Sequence, residues 1–171
     1  MPKSARRIKP LIKQYIVSSL TDTNSSILDC GAGAGTYANL LSENGELIYR
    51  NIDCCEIYEP YIKKYNLYSK YKNVFVGDIC DLKFDYYDMI IMGDVLEHIE
   101  RSRAQKLIIN IYSKCTYLLI AIPYLYEQGP YKGNIYESHL QPDLTHNIFM
   151  EYYEGFKLLL EKHNIGVYIK I

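Results

Sequence analysis

The sequence has no apolar run of about 18 residues, the length that a helix needs to cross a bilayer. Its N-terminus, MPKSARRIKP, also lacks the apolar segment of a signal peptide. The five cysteines include no C-x-x-C pair and lie in apolar runs, which favours reduced, buried thiols over a disulfide or zinc framework. These absences predict a cytoplasmic protein with no membrane contact and no metal site.

Neither sign of charge is in excess, because 19 Lys and Arg face 20 Asp and Glu. The formal net charge of -1 argues against a generally basic nucleic-acid surface. One basic cluster stands at the start of the chain and has two interpretations. It is either a solvated segment that leads into a helix or a group that contacts phosphates or anionic substrates. Its members are Lys3, Arg6, Arg7 and Lys9.

Short apolar runs that are typical of buried strands alternate with helical segments along the chain. The strand candidates are Ser26–Cys30, Leu47–Glu56, Asn73–Gly77, Asp88–Met92 and Tyr117–Ile122. Crossover helices are predicted over Tyr37–Glu43, Tyr58–Tyr65 and Ser102–Lys114. Ser102 is the predicted N-cap of the last one. Alternation of this kind predicts a parallel sheet with helices on both faces.

The two ends of the chain complete this pattern. A helix is predicted from about 9 to 20 before the first strand, and a second one from a Thr145 cap through Tyr153, ended by Gly155. The last segment, FKLLLEKHNIGVYIKI, divides near Asn164 into an antiparallel hairpin. The expected fold is therefore one α/β domain over 1–171, a doubly wound, mostly parallel seven-stranded sheet with a C-terminal antiparallel hairpin.

The stretch ILDCGAGAGT puts three glycines, Gly31, Gly33 and Gly35, at every second position after the first strand. A glycine-rich turn between a strand and a helix lets backbone N–H groups face a ligand without a Cβ in the way. The dinucleotide fingerprint G-x-G-x-x-G requires glycine where Thr36 stands. That mismatch, together with the lack of a second domain for substrate, disfavours a dinucleotide oxidoreductase.

Acidic residues stand at the ends of the first four predicted strands. Because ligands of a doubly wound sheet lie across the carboxyl edges of its strands, these acids should converge on one crevice. Glu56 lies 21 residues beyond Gly35, close to the interval of about 20 at which an acid binds ribose hydroxyls, with Asp53 as its rival. The four acids are Asp29, Glu56, Asp78 and Asp94.

Four ordered motifs carry a resemblance to a known family: ILDCGAGAGTYANLL, CCEIYEPYI, FVGDICDL and YDMIIMGDVLEHI. Together they resemble the successive motifs of class I S-adenosylmethionine-dependent methyltransferases, from about Ile27 to Pro123, and the final hairpin matches the usual ending of that family. The resemblance implies that S-adenosylmethionine is the cofactor. It also implies transfer of a methyl group to an oxygen or nitrogen nucleophile.

The resemblance also implies a set of cofactor contacts. Asp29 is expected to support the glycine turn and the methionine amino group, and Glu56 to hold the ribose. Asp78 would accept a hydrogen bond from the adenine amino group, with Ile57 and the backbone of Ile79 against the ring. The rest of the methionine portion is expected beside Gly31, Ala32, Gly33, Asp94 and Val95.

Catalytic candidates lie in two places. Residues 123–144 form the longest irregular stretch and are predicted to be a lid or binding loop. Its G-N-x-x-E-x-H pattern is similar to that of some uncharacterised bacterial and phage members of the family. His139 is a candidate to take a proton from a hydroxyl or amine, with Glu137 orienting it or binding a cationic substrate. The alternative is that both only fix the lid by hydrogen bonds.

The second place is the segment DVLEHIE, where Glu97 and His98 are acid–base candidates. The resemblance implies instead that this segment mostly shapes the cofactor pocket. A small-molecule acceptor is the leading prediction. The alternatives are an RNA ribose or base methyltransferase and a catalytically idle binding module, although the Asp/Asn-Pro-Pro-Tyr/Phe motif of base-amino methyltransferases is missing after the fourth strand. No feature of the sequence indicates an oligomeric state.

Overall fold

The computed structural model describes residues 8–171 of the chain, so the basic residues Lys3, Arg6 and Arg7 lie outside the described residues. The helices are α1 (Lys9–Ser19), α2 (Thr36–Leu40), α3 (Glu59–Lys64), α4 (Arg101–Ile111) and α5 (His146–Tyr152). The strands are β1 (Ser26–Cys30), β2 (Ser42–Glu43), β3 (Glu46–Leu47), β4 (Asn51–Glu56), β5 (Val74–Val76), β6 (Tyr87–Gly93), β7 (Cys115–Pro123), β8 (Lys157–Lys162) and β9 (Ile165–Lys170).

Seven of the strands form one sheet in the order β5-β4-β1-β6-β7-β9-β8. The first five in that order run parallel, and β9 pairs antiparallel with both β7 and β8. The doubly wound fold with a closing hairpin is therefore confirmed. The chain order reverses on either side of β1, which is the switch point where such sheets open a crevice at their carboxyl edge.

The central strands are buried on both faces, as their continuous apolar runs require. On β1, Ile27 faces a core layer that contains Ile12 and Ile16 of α1, while the adjacent Leu28 faces the layer formed with α4 and α5. In the second layer the ring of Phe149 stacks on Tyr168 at 3.7 Å. Helices thus cover both faces. None of the helices within residues 8–171 is long and apolar enough to span a membrane.

One predicted strand is interrupted. The run from Leu47 to Glu56 contains a bend after β3, so that β4 begins only at Asn51. The predicted helix Tyr37–Glu43 is also shorter than expected, because the chain forms the β2–β3 hairpin around Asn44 and Gly45. Both turn residues have positive φ, 52° and 84°, which Asn-Gly accommodates in a tight hairpin turn. The Asn-Gly pair therefore decides this local structure over hydrophobic periodicity.

The helix caps give one correction and one confirmation. Ser102 is not the N-cap of α4: Glu100 takes that place, and its carboxylate accepts a hydrogen bond from the Arg103 backbone at 3.1 Å. Ser102 instead donates its hydroxyl to the same carboxylate. Thr145 caps α5 as predicted, accepting from the backbone of Ile148 at 3.2 Å. An acidic cap satisfies the same orphan donors as serine and adds a favourable charge.

Candidate cofactor and methyl-transfer site

A cavity of about 580 Å³ opens at the carboxyl edge of β1, β4 and β6. Its volume lies within the range of about 300–1,000 Å³ that is usual for small-molecule sites. Nine of the ten cofactor residues that the resemblance implied line it; Asp29 does not. The nine are Gly31, Ala32, Gly33, Glu56, Ile57, Asp78, Ile79, Asp94 and Val95.

The glycine turn lies at the floor of the cavity. Gly31 and Gly33 have φ values of 64° and 53°, a region that favours glycine. The backbone N–H groups of Gly31 and Ala32 donate to the carbonyl of Cys55 at 2.9 and 3.1 Å, which ties the turn to the end of β4. A Cβ on Gly33 would meet nothing closer than the Gly31 carbonyl oxygen at 3.8 Å. The turn therefore leaves space for a ligand beside its backbone.

Glu56 joins the glycine turn to the start of α3. Its side chain is 5% exposed, and its two oxygens accept from the backbone N–H of Gly33 at 2.7 Å and of Tyr58 at 2.8 Å. Burial raises the pKa of this carboxyl, and the two backbone N–H groups oppose that shift. An ionised carboxylate has about four lone-pair sites, so two remain for ribose hydroxyls.

The residues that line the cavity also include the apolar side chains of Ile57 and Ile79 together with Asp78. Asp78 accepts from the Cys80 backbone at 2.9 Å and from the guanidinium of Arg103 at 3.0 Å. The Arg103 pairing joins residues 25 positions apart and had no local signal in the sequence. Apolar wall with one acceptor at its edge suits an aromatic ring that bears an amino group, such as adenine.

A buried cation also lines the cavity. Lys9 is 6% exposed, and its Nζ donates to the Tyr37 hydroxyl at 3.0 Å and lies 3.5 Å from a carboxylate oxygen of Asp94. Burial lowers the pKa of this ammonium, but Tyr37 and Asp94 more than offset it and leave the pKa above its ordinary value. Lys9 is therefore not a solvated residue, and its partners are an acid and a hydroxyl of the same chain; contact of the basic N-terminus with phosphates or anionic substrates stays a prediction.

Asp29 lies beneath the turn and not in the cavity wall. It is 1% exposed and accepts a hydrogen bond from the Tyr71 hydroxyl. Burial raises its pKa to about 7, against the lowering effects of Tyr71 and Lys9. Its contact with the methionine amino group stays a prediction, while the position fits a residue that supports the turn from below.

The predicted lid, residues 123–144, is irregular apart from a short turn at Ile135–Glu137. Asn134, Tyr136, Glu137 and Leu140 reach the cavity wall. Glu137 accepts from the Tyr61 hydroxyl at 2.9 Å, and this bond ties the lid to α3. The lid therefore closes one side of the cavity. Among the described residues, the carboxylate of Glu137 hydrogen-bonds Tyr61 and Gln128, not the imidazole of His139.

His98 and His139 lie close together beside the lid, with ring centroids 4.7 Å apart in an edge-to-face arrangement. His98 lines the cavity, whereas His139 is not among the residues that line it. Burial lowers the pKa of both imidazoles, so both rings are neutral near pH 7. The adjacent Glu97 is 1% exposed, and burial together with the charge of Asp94 raises its pKa well above the ordinary value.

Comparison with known proteins decides the family. A family model described as a methyltransferase domain matches residues 28–114, more than half of the chain. The chain is a class I methyltransferase. A search of curated protein sequences finds no significant match, so the assignment rests on this domain and on the fold.

Solved structures share the fold of this methyltransferase. The N-terminal domain of EvdMO1, crystallised in the presence of SAH and D-fucose, aligns with a TM-score of 0.69 and 12% identity, over 98% of this chain and 84% of that one. The PH0226 protein of Pyrococcus horikoshii OT3 aligns with a TM-score of 0.69 and 15% identity, over 99% of this chain and 91% of that one. Magnesium protoporphyrin IX methyltransferase (ChlM) of Synechocystis PCC 6803, with bound SAH, aligns with a TM-score of 0.65 and 14% identity, over 96% of this chain and 83% of that one. At these identities the likeness shows the fold alone.

S-adenosylmethionine is the cofactor of this methyltransferase family, and the cavity fits it. The open space at Gly33 leaves room against the turn, the carboxylate of Glu56 keeps acceptor capacity at the position of a ribose, and Ile57 and Ile79 form an apolar slot. Lys9 and Asp94 offer opposite charges where the zwitterionic methionine end would lie. The individual residue assignments stay predictions of the resemblance; nine of these ten residues line one cavity, and Asp29 does not.

A substitution at Gly93 tests how tightly this methyltransferase site is packed. A Cβ there would lie 2.6 Å from Cζ of the buried Tyr37 ring and would overlap its hydroxyl oxygen. Gly93→Ala is therefore expected to displace Tyr37 and lower the free energy of unfolding by about 1–3 kcal/mol, the usual range for overpacking. Denaturant unfolding measures this. Gly129→Ala is the matched control, because its Cβ would meet nothing within 4 Å; equal effects of both changes would contradict the prediction.

Proposed function

We propose that this methyltransferase transfers the methyl group of S-adenosylmethionine to an oxygen or nitrogen nucleophile of a small-molecule acceptor. The observation that carries the proposal is that one cavity extends from the cofactor residues to the lid. Asp94 and His98 lie on the same wall as Tyr136 and Glu137 of the lid. An acceptor in that part of the cavity would lie between the methyl group and the lid.

Bound S-adenosylmethionine supplies an activated methyl group on a sulfonium centre. The task of the protein is then to hold the acceptor in line with that group and to exclude water, and positioning alone contributes several kcal/mol. The lid segment supplies the enclosure. The hydrogen bond from Tyr61 of α3 to Glu137, at 2.9 Å, holds it against the domain, and the bond from Gln128 to the Glu137 carbonyl, at 2.6 Å, joins two parts of the lid itself.

His139 is the proposed proton acceptor when no other ligand occupies its ring. Its Nδ1 lies 2.7 Å from the carbonyl oxygen of Tyr126, which requires the proton on Nδ1 and leaves the Nε2 lone pair free. Because its pKa is lowered, the ring is in its basic form at neutral pH. The alternative, that His139 only fixes the lid, uses the same hydrogen bond.

A small acceptor is favoured over nucleic acid by the composition of the cavity. The wall is mixed polar and apolar, and the chain carries a formal net charge of -1. Two of the proteins with this fold point the same way, since one was crystallised with D-fucose and another is a magnesium protoporphyrin IX methyltransferase. The experiment below also carries an RNA arm.

The test has two stages. Purified protein is first titrated with S-adenosylhomocysteine and, separately, with NAD; we expect saturable binding of the first alone. Methyl-labelled S-adenosylmethionine is then incubated with fractionated cell extract, with and without ribonuclease treatment. Label in a low-mass, ribonuclease-resistant product supports the proposal. Label in RNA would mean that the acceptor is RNA and not a small molecule. Cofactor binding without any methyl transfer would contradict the proposal that the protein is an active enzyme.

A further inference from the structure

We propose that Glu97, His98 and His139 together bind a divalent transition-metal ion at the wall of the cofactor cavity. One ligand atom of each residue lies within 4.8 Å of the ligand atoms of the other two. Glu97 and His98 follow β6 directly, and His139 comes from the lid, 41 positions later in the chain. The sequence by itself predicted no metal site, because nothing local indicates that this lid histidine meets the other two side chains.

Both histidines are oriented as metal ligands usually are. Nδ1 of His98 lies 3.1 Å from the carbonyl oxygen of Ser138, and Nδ1 of His139 lies 2.7 Å from that of Tyr126. Each Nδ1 therefore carries its proton, and each Nε2 keeps a free lone pair. A backbone carbonyl that fixes the tautomer in this way is the common outer-shell partner of a metal-bound imidazole. Two rings held in this way, with their centroids 4.7 Å apart, present a pair of nitrogen lone pairs to a metal ion.

Glu97 supplies the independent observation. Its side chain is 1% exposed, and within residues 8–171 no group hydrogen-bonds either carboxylate oxygen. A buried carboxyl without a partner is costly, so buried acids are normally paired, hydrogen-bonded or bound to a metal. The backbone carbonyl of Glu97, in contrast, accepts from the N–H of Leu140 and Gln141 at 2.8 and 3.1 Å. These bonds bring the lid, and with it His139, to the carboxylate.

The donor set indicates the class of ion. Imidazole nitrogen suits zinc, iron and related first-row ions, and carboxylate oxygen also suits manganese. Ligand atoms at about 2.1 Å from such an ion are separated by about 3.0–3.5 Å, so two ligand atoms at the 4.8 Å limit must approach each other by about 1.3–1.8 Å on binding. His139 lies on an irregular lid, which can supply that movement. Three protein ligands leave positions open, as catalytic sites do.

The open positions give the site a role that rests on the proposed function. His98 lies in the cavity wall, so a ligand bound beside it reaches the region assigned to the acceptor. A metal ion held there would lower the pKa of a bound water strongly, to about 7, and it would favour the alkoxide form of a bound hydroxyl in the same way. The proton would be released to solvent and not to His139, whose lone pair would be used by the ion. The site therefore favours an acceptor oxygen over nitrogen.

Metal binding is measured without cofactor or acceptor. Protein freed of metal with a chelator is titrated with Zn²⁺ and, separately, with Mn²⁺ by isothermal calorimetry, and we expect one ion to bind per chain. Glu97→Gln keeps the shape of the side chain and removes its charge, and His139→Ala removes a donor from the lid; each should weaken binding at least tenfold. Circular dichroism establishes that both variants are folded.

His163→Asn is the matched control. This histidine lies in the exposed β8–β9 turn with a φ of 55°, which asparagine tolerates, so the change removes an imidazole that does not belong to the group of Glu97, His98 and His139. Binding equal to wild type is expected. The metal site would be overturned if the wild-type chain showed no saturable binding, or if Glu97→Gln and His139→Ala bound the ion as tightly as the wild-type chain. Because the titration contains no methyl donor, either result leaves the methyltransferase proposal standing, and failed methyl transfer leaves the metal site standing.

Discussion

Glu56→Gln is expected to weaken binding of S-adenosylhomocysteine by about 10- to 100-fold. The Glu56 carboxylate accepts from the backbone N–H of both Gly33 and Tyr58, at 2.7 and 2.8 Å. The glutamine amide nitrogen cannot accept, so one of these donors is left facing another donor. A hydrogen bond to a charged group contributes about 1.5–3 kcal/mol, and 1.4 kcal/mol corresponds to a factor of ten in affinity. The affinity falls because the ribose contacts that the resemblance implies are hydrogen bonds to this charged group, and because the mismatched donor displaces the glycine turn.

The comparison variant for this change is Glu59→Gln. Glu59 stands three positions further along, exposed in the first turn of α3, and outside the cavity wall. Calorimetric titration of both variants separates the loss of one particular carboxylate from a general change in charge. Wild-type affinity in Glu56→Gln would show that the carboxylate neither shapes the glycine turn nor holds the cofactor.

Asp29→Asn is expected to remove a strong pH dependence of stability. Burial raises the pKa of Asp29 in the folded chain from an ordinary 3.8 to about 7. Below about pH 4 the carboxyl is protonated in both states, and its stabilising contribution is complete. Between pH 4 and 7 only the unfolded chain releases the proton, so the folded state loses stability as the pH rises. About three pKa units correspond to about 4 kcal/mol as an upper figure.

The measurement is denaturant unfolding of wild type and Asp29→Asn from pH 4 to pH 8. The unfolding free energy of wild type minus that of Asp29→Asn should fall with rising pH and level off above pH 7. Other titrating groups contribute equally to both proteins, so their contributions cancel in this difference. Asparagine retains an acceptor for the Tyr71 hydroxyl. Asp85→Asn, at an exposed loop position, serves as the reference and should give a flat difference. A flat difference for Asp29→Asn as well would mean that this carboxyl is ionised throughout.

Much of the cofactor site was predictable because its residues stand next to strand ends. Gly31, Glu56, Asp78 and Asp94 each follow or end an apolar run that could only be a buried parallel strand, and parallel strands bring their carboxyl ends to one edge. The pattern that predicts each strand is local, and the topology of a doubly wound sheet then brings the residues at the strand ends together. The hairpin β8–β9 was likewise predictable from its alternation and its turn.

Residues that depend on long-range packing were not predictable. The pairing of Arg103 with Asp78, the hydrogen bond of Tyr61 to Glu137 and the burial of Lys9 each join distant parts of the chain. Local errors had local causes: the Asn44-Gly45 turn formed a hairpin where the predicted helix Tyr37–Glu43 should have ended and the predicted strand Leu47–Glu56 begun.

By itself the sequence determined the α/β fold, which follows from periodicity. Four ordered motifs along the chain carried the resemblance that implied the family and the cofactor. Only the tertiary structure decided how the lid meets the sheet. Backbone bonds from Leu140 and Gln141 to the carbonyl of Glu97 bring His139 beside His98 and beside a buried carboxylate that has no hydrogen-bond partner within residues 8–171. Such a contact depends on how an irregular loop packs against the sheet, and no period or motif in the chain encodes it.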